Sequence, residues 1–260
     1  MMIIDFVSRH ALRLGAALLL TLHAALAVAS DDCKVMDPDL VGSYEGPCEG
    51  GYAHGKGIVK GKDSYEGEFV RGLQHGTGIY VWSNGARYEG QWANGRRHGE
   101  GMMRYSDGNV YEGSWRDGKR SGTGTLRWKG GDQYVGNWVN DKRAGHGTLT
   151  WPSGTVYVGE MSDGQPSGYG VQTWPNGARY TGEWTAGAPT GDGTLEFADG
   201  GKYVGEFYRG KEHGRGTHFA PNGGRLDGEW AEGRRTSVGA MTMPDGTRYD
   251  NWRSGSRDCR

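Results

Sequence analysis

Histidines, carboxylates and cysteines recur along this chain at spacings regular enough to test for chemistry. His75, His98 and His213 fall at multiples of one interval, with His54 offset by two residues, which invites a ladder of metal ligands. A single ion needs its ligands within about 2 Å. Equivalent positions of successive hairpins lie ~10 Å apart, so His75 and His98 cannot share one. The expectation is polar residues at hairpin tips, with no metal and no cofactor. The carboxylates form two series, Glu66, Glu89 and Glu112, and Glu160, Glu183, Glu206 and Glu229. Glycosidase chemistry needs two carboxyl groups facing each other in a cleft that sets their pKa values apart. Carboxylates spaced along one open sheet face describe a solvated surface instead. No serine sits in a nucleophile elbow, and no cluster of reactive residues breaks the periodicity as a catalytic centre would. The chain is therefore expected not to be an enzyme.

The three cysteines bear on compartment. Arg9, His10 and Arg13 precede an apolar run from Leu14 to Val28, and Ala27-Val28-Ala29 forms a small-x-small cleavage pattern before Ser30. This reads as a signal peptide over residues 1–29, removed after Ala29. The rival reading is a retained anchor, but the run falls short of the ~20 apolar residues that span a bilayer. Export makes the mature protein periplasmic or secreted, where thiols pair. Cys33 and Cys48 would close a short loop at the start of the folded part. Cys259 is left over, as a free thiol or an intermolecular bond.

Composition narrows the function classes further. Glycine accounts for 50 residues and aromatics for 11%, against 35% hydrophobic content, a mixture of turns and half-buried sheet. The formal charge of −1 becomes about −2 once Arg9, Arg13 and Asp5 leave with the leader. No basic footprint for nucleic acid exists.

All of these residues hang on one repeat. Tyr65, Tyr88, Tyr111, Tyr134, Tyr157, Tyr180, Tyr203 and Tyr249 mark a 23-residue interval, with Leu226 in the one missing place. Glycine follows two residues later, as at Gly67 and Gly90, and a large residue two further on, as at Phe69 and Trp92. This period of two is one face of a strand. A glycine pair such as Gly76-Thr77-Gly78 opens a second run leading to Trp82, Tyr105, Trp128, Trp151, Trp174 or Phe197. Ser83-Asn84-Gly85 and Pro175-Asn176-Gly177 then read as three-residue loops closed by a left-handed glycine. This parity is expected to set Trp82 opposite Tyr88, Gly67 opposite Tyr80 and Phe69 opposite Gly78, with rings lying over glycines.

The resulting expectation is an all-β, elongated, single-layer antiparallel sheet of tandem hairpins. Residues 30–43 form an N-terminal linker, residues 44–252 the array of nine units with a truncated tenth, and residues 253–260 a tail. Nine units at ~4.8 Å per strand make a twisted ribbon roughly 80–90 Å long, so Cys259 cannot reach Cys33 or Cys48 in the same chain. Atypical ends, such as Leu226 for Tyr and Ser237 for glycine, suit a stacked array.

Tyr65-Glu66-Gly67-Glu68-Phe69 followed by Gly76-Thr77-Gly78, and the parallel Tyr180-Thr181-Gly182-Glu183-Trp184, resemble the MORN repeat. The resemblance implies scaffolds, dimerisation elements or membrane-associated modules. Some relatives are fused to a lipid kinase, but residues 44–252 are consumed by repeats and contain no phosphate loop or kinase motif.

The aromatic rows carry the binding potential, because one layer leaves them without a cover. The candidate surface is Tyr88, Trp92, Tyr111, Trp115, Trp128, Tyr134, Trp138, Trp151, Trp174 and Trp184. Covering the glycines is the structural use of these rings. The binding uses are self-association into a homodimer, docking of a protein partner, or contact with envelope glycan or a lipid surface. The leading expectation is an exported scaffold for protein interaction.

Overall fold

The computed structural model describes residues 33–236 and 239–252; the expected signal peptide over residues 1–29, Ser237 and Cys259 lie outside them. Twenty strands form one antiparallel sheet that is not closed into a barrel, and no helix occurs among the described residues. From Gly55–Gly61 to Arg225–Ala231 each strand pairs with its neighbours in the chain, and Gly42–Glu45 and Arg248–Trp252 lie at the two edges. A small two-stranded ribbon, Cys48–Glu49 with Tyr52–Ala53, is inserted in the first unit.

Two turn types alternate, and both are written in the sequence. The tight turns place a non-glycine residue and then glycine at positive φ, as in Asn94 (50°) and Gly95 (75°), which is the conformation that a two-residue hairpin turn demands. The wide turns close as expected. At Ser83-Asn84-Gly85, the Trp82 amide donates to the Ala86 carbonyl and the Gly85 amide to Trp82, both at 2.9 Å, with Gly85 at φ +85°.

The cross-strand register corrects the expected one by two residues. A three-residue loop sets Trp82 against Ala86, so Tyr80, and not Trp82, stands opposite Tyr88. Parity was right, because Tyr80 and Trp82 share a face, but the offset was wrong. Glycines consequently face glycines: Gly67 pairs with Gly78, Gly78 with Gly90, and so on to Gly216 with Gly228. Each tyrosine lies over the glycine pair beside it. A Cβ built on Gly136 or Gly147 would come within 2.4 Å of the Tyr134 hydroxyl. The ring therefore covers the glycine two residues along its own strand and that glycine's cross-strand partner, where the sequence reading had paired glycines with rings across the strands.

Packing repeats with the sequence. The Tyr88, Tyr111, Tyr134 and Tyr157 hydroxyls donate to the carbonyl three residues on, at 2.7 to 3.1 Å. Tyr88 and Tyr111 meet tryptophans edge-on within their own unit and in the next, Tyr88 with Trp92 (5.1 Å, 88°) and Trp115 (5.5 Å, 87°), while Tyr134 meets Trp138 of its own unit and Tyr157 meets Trp184 of the next. The Trp92, Trp115, Trp138 and Trp184 indoles donate to a glycine carbonyl of the preceding unit. Such edge contacts contribute roughly 0.5–1.5 kcal/mol beyond burial. Tight-turn amides add a link between units: Gly95 donates to Gln74, Gly118 to Arg97 and Gly187 to Pro166, each at 2.9 Å.

At the start of the array, residues that read as linker are strapped down. Cys33 and Cys48 are disulfide-bonded with Cα atoms 5.9 Å apart, as the loop between them implied. The Met36 amide donates to Gly72, the Gln74 amide nitrogen to Asp37, and Leu40 is buried.

Candidate interaction surfaces

The ten aromatic residues singled out from the sequence separate into two rows. Tyr88, Trp92, Tyr111, Trp115, Tyr134, Trp138 and Trp184 are buried, with at most 6% of their surface exposed. Flat stacking of a ligand on these seven is closed off by their own neighbours. Trp128, Trp151 and Trp174 belong to an outer row beside the wide turns, half-buried against the inner one.

The cover over the inner row is what the sequence reading missed. Nine residues after each marker tyrosine come Arg97, Arg120, Arg143, Pro166 and Pro189. The guanidiniums of Arg97 and Arg120 lie 4.3 Å over the rings of Trp115 and Trp138, and Pro166 and Pro189 pair across strands with Met161 and Trp184. A cation over an indole face is attracted by its quadrupole while its stem covers apolar surface. Arg97 also donates to the Gly118 carbonyl at 2.9 Å, and burial holds its pKa below the usual arginine range. Aligning the repeats at this position, rather than at the aromatics alone, would have exposed the row.

The face opposite the tyrosines is open. The cross-strand row Thr125, Val135, Thr148, Val158, Val171, Thr181, Thr194, Val204 crosses eight strands without a charge. Val135, Val158 and Val204 are 44%, 52% and 39% exposed, and Val139, Tyr169 and Tyr208 add exposed apolar surface on the same face. Nearer the N-terminus this face is acidic, with a groove of about 710 Å3 over Ile58 and Ile79 rimmed by Glu45, Glu66, Glu68 and Glu89.

The histidines and glutamates occupy structural positions. His75, His98 and His213 lie within strands, each just before a positive-φ glycine, and not at hairpin tips as expected. No group of three or more metal-type ligands occurs among the described residues. Glu160 and Glu206 accept hydrogen bonds from the amides of Tyr169 (3.3 Å) and Arg215 (2.9 Å), as Gln91 does from Glu100 (2.9 Å), which satisfies backbone donors freed by the bulge. Asp63 is a buried carboxylate. Burial works to raise its pKa, but the Ser83 amide (2.8 Å) and the Tyr80 hydroxyl (3.0 Å) outweigh that and hold it below the ordinary value. Burial raises the hydroxyl pKa of every inner-row tyrosine, for Tyr157 to about 12.

One stretch departs from the pattern. Glu212 stands where Pro189 and Arg143 do, and His218 where Leu195 and Leu149 do, and the two bond at 2.9 Å. The His218 ring lies between Phe197 (5.5 Å, stacked) and Trp230 (4.5 Å).

A family model described as "MORN repeat" matches eight consecutive segments, from residues 65–87 to residues 203–225 and then 227–248. The unit beginning at Tyr44 lies before the first match, yet its hydroxyl donates to Pro47 at 2.8 Å, as the later tyrosines do three residues on. No curated protein matches the chain. Among solved structures, the TCP10 domain of Danio rerio CPAP is 13% identical with a TM-score of 0.43, covering 74% of this chain and 91% of that one. The TCP domain of SAS-4 (dCPAP) of Drosophila melanogaster, in complex with a proline-rich motif of Ana2 (dSTIL), is 12% identical with a TM-score of 0.29, covering 68% and 85%. Likenesses this distant carry no argument about function.

Proposed function

This chain belongs to the MORN-repeat family, and from that premise we propose that it is an exported, non-enzymatic scaffold that binds protein through its open sheet face and associates with itself. The observation that carries the proposal is the uncharged Thr/Val row with Val135, Val158 and Val204 exposed. Apolar side chains in an unbroken line on a surface are the feature that protein contacts cover. Repeat ribbons provide extended faces of this kind, and their periodic packing leaves no strained reactive centre.

Val135→Asp, Val158→Asp and Val204→Asp together test it, because these residues support no packing on the tyrosine side. The expected result is an unchanged melting temperature, with loss of the larger species seen by light scattering of the wild type. A larger species that persists in the triple variant overturns the assignment of the face. Co-sedimentation with liposomes, abolished by the same variant, would assign it to a lipid surface instead. Turnover on a nucleotide, glycan or ester would refute the non-enzymatic reading, and a mature N-terminus other than Ser30 would refute the export site.

A further inference from the structure

The outer aromatic row holds polar atoms that packing leaves unused. Trp82, Tyr105, Trp128, Trp151, Trp174 and Phe197 occupy one position in six successive units, each half-buried beside a wide turn. Trp82 shows how they sit, its ring 4.4 Å from Tyr80 and tilted by 33°, resting on the inner row. Inner-row indoles spend their N–H on glycine carbonyls. Those of Trp82, Trp128, Trp151 and Trp174 have no partner among the described residues and are not buried donors, so they face solvent.

Grooves open between these rings. One of about 380 Å3 lies by Tyr105 and Trp128, with Asp107, Asn109, Arg120, Asp141 and Arg143 around it, the Arg143 guanidinium 5.5 Å from the Trp128 ring. Another of about 410 Å3 runs between Trp151 and Trp174, with Ser153, Thr155 and Gln172. Both volumes suit a small ligand unit. Each groove combines an aromatic plane with groups that donate and groups that accept hydrogen bonds.

We propose that this row is a binding ladder for a β-1,4-linked polysaccharide. Successive platforms stand two strand spacings apart, ~9.6 Å. The flipped disaccharide of an extended β-1,4-linked chain is close to that length, so every second sugar meets a ring. The apolar C–H face of the sugar stacks on the ring, and its hydroxyls bond the carboxylate, amide and guanidinium groups between platforms. A polyproline helix has a similar period, ~9.3 Å per turn. Its prolines carry no N–H, so the oxygens of Asp107, Asp141, Ser153 and Thr155 would lose water without gaining a donor. Sugar hydroxyls both donate and accept. The site lies on the face opposite the Thr/Val row, so it stands or falls separately from the docking proposed there.

The experiment is co-sedimentation of the mature protein with cellulose, chitin and purified peptidoglycan, with α-linked amylose and polyproline peptide as comparisons. The wild type is compared with Trp128→Leu, Trp151→Leu and Trp174→Leu combined, which keeps apolar packing on the inner row but removes the flat planes. Binding to one or more β-1,4-linked polymers, weakened about ten-fold or more in the variant while the melting temperature holds, supports the ladder. The three polymers differ in the substituent at the second carbon and in peptide stems, so the pattern of binding identifies the source. Soluble oligosaccharides long enough to span two platforms should shift indole fluorescence at concentrations about ten-fold below those needed with a disaccharide. Binding to amylose as strong as to the β-linked polymers, capture of polyproline alone, binding unchanged in the variant, or no binding to any glycan overturns the proposal.

Discussion

Alkali should unfold this ribbon in one steep step. Tyr65, Tyr88, Tyr111, Tyr134, Tyr157, Tyr180 and Tyr203 are no more than 1% exposed, and burial raises the pKa of each hydroxyl above its ordinary value near 10. The sign follows from which state gives up protons. Above pH 10 the unfolded chain ionises these phenols while the folded chain retains them. The stabilisation is therefore complete below about pH 10 and is lost as the pH climbs toward the folded-state values. One pH unit above the unfolded value, each ring costs about 1.4 kcal/mol, and seven cost about 10 kcal/mol. That is comparable to the whole stability of an ordinary domain. Because rings such as Tyr88, Tyr111, Tyr180 and Tyr203 touch aromatic side chains of two units, loss of one loosens the next. Tyrosinate absorbance and near-ultraviolet circular dichroism should change together at about pH 11, more steeply than a one-proton titration. Tyr134→Phe removes one titrating group and the hydrogen bond to Asn137, costing about 1 kcal/mol at neutral pH and reducing the steepness at high pH. If tyrosinate instead accumulates gradually while the dichroism persists, solvent reaches these rings in the folded state and the burial argument is wrong.

Four smaller perturbations separate the parts of the architecture. Gly136→Ala should cost at least 2–3 kcal/mol because its Cβ would strike the Tyr134 hydroxyl and the Gly147 backbone, whereas Gly177→Ala, in open space at φ +89°, should cost about 1 kcal/mol; urea melts compare them. Reducing Cys33–Cys48, which are 15 residues apart, should free the N-terminal strap at a cost of up to ~3 kcal/mol, seen as faster hydrogen exchange at Met36 with the central units unchanged. Asp63→Asn should lower stability at neutral pH and flatten the acid limb, since the stabilisation from a depressed carboxylate is present above about pH 4 and lost as pH falls through its folded value. Glu212→Gln and His218→Leu should each destabilise, and their double-mutant cycle should show a coupling of roughly 0.5–3 kcal/mol; strict additivity would mean that the 2.9 Å contact contributes nothing.

Repeat length, strand periodicity and the wide turn were legible in the chain, because each rests on local rules: Asn-Gly at Asn84-Gly85 dictates its turn wherever it sits, whereas the tight turn at Asn94-Gly95 carries the same kind of signal and was not read. Register was read two residues out, since parity decides the face and only the counting of loop residues decides the partner. Trp82 and Tyr80 satisfy the same alternation, so the pattern alone could not tell which one meets Tyr88. The candidate surface was harder. A single sheet has no second layer for its rings, and the sequence left open whether they bind or only cover glycines; Trp92, Trp115 and Trp138 close over the tyrosines, and Arg97 and Arg120 close over the tryptophans. Those arginines have polar character in any composition count, and their covering role arises only when the next unit is stacked beside them. Cross-unit contacts of this kind are invisible to a reading made one hairpin at a time.

A repeat array offers its own comparison set, and that determines where partner information can reside. Positions fixed by stacking, such as the glycine pairs and the inner tyrosines, repeat from unit to unit with few exceptions, Leu226 among them, and so cannot distinguish one ligand from another. The outer row and the open face are released from that constraint. Trp82, Tyr105, Trp128, Trp151, Trp174 and Phe197 nonetheless keep a large aromatic side chain, although the four indole N–H groups among them bond nothing within the described residues and their neighbours differ from unit to unit. Packing against the inner row would be served as well by leucine, which stands at Leu126, Leu149 and Leu195 one position inward. A ring retained through six units, where an aliphatic side chain would pack, points to a requirement for flatness. Flatness serves a ligand that lies along the ribbon. In the seventh unit Ala220 ends the row, next to the paired Glu212 and His218, so the stretch free to bind stops where the packing itself changes character.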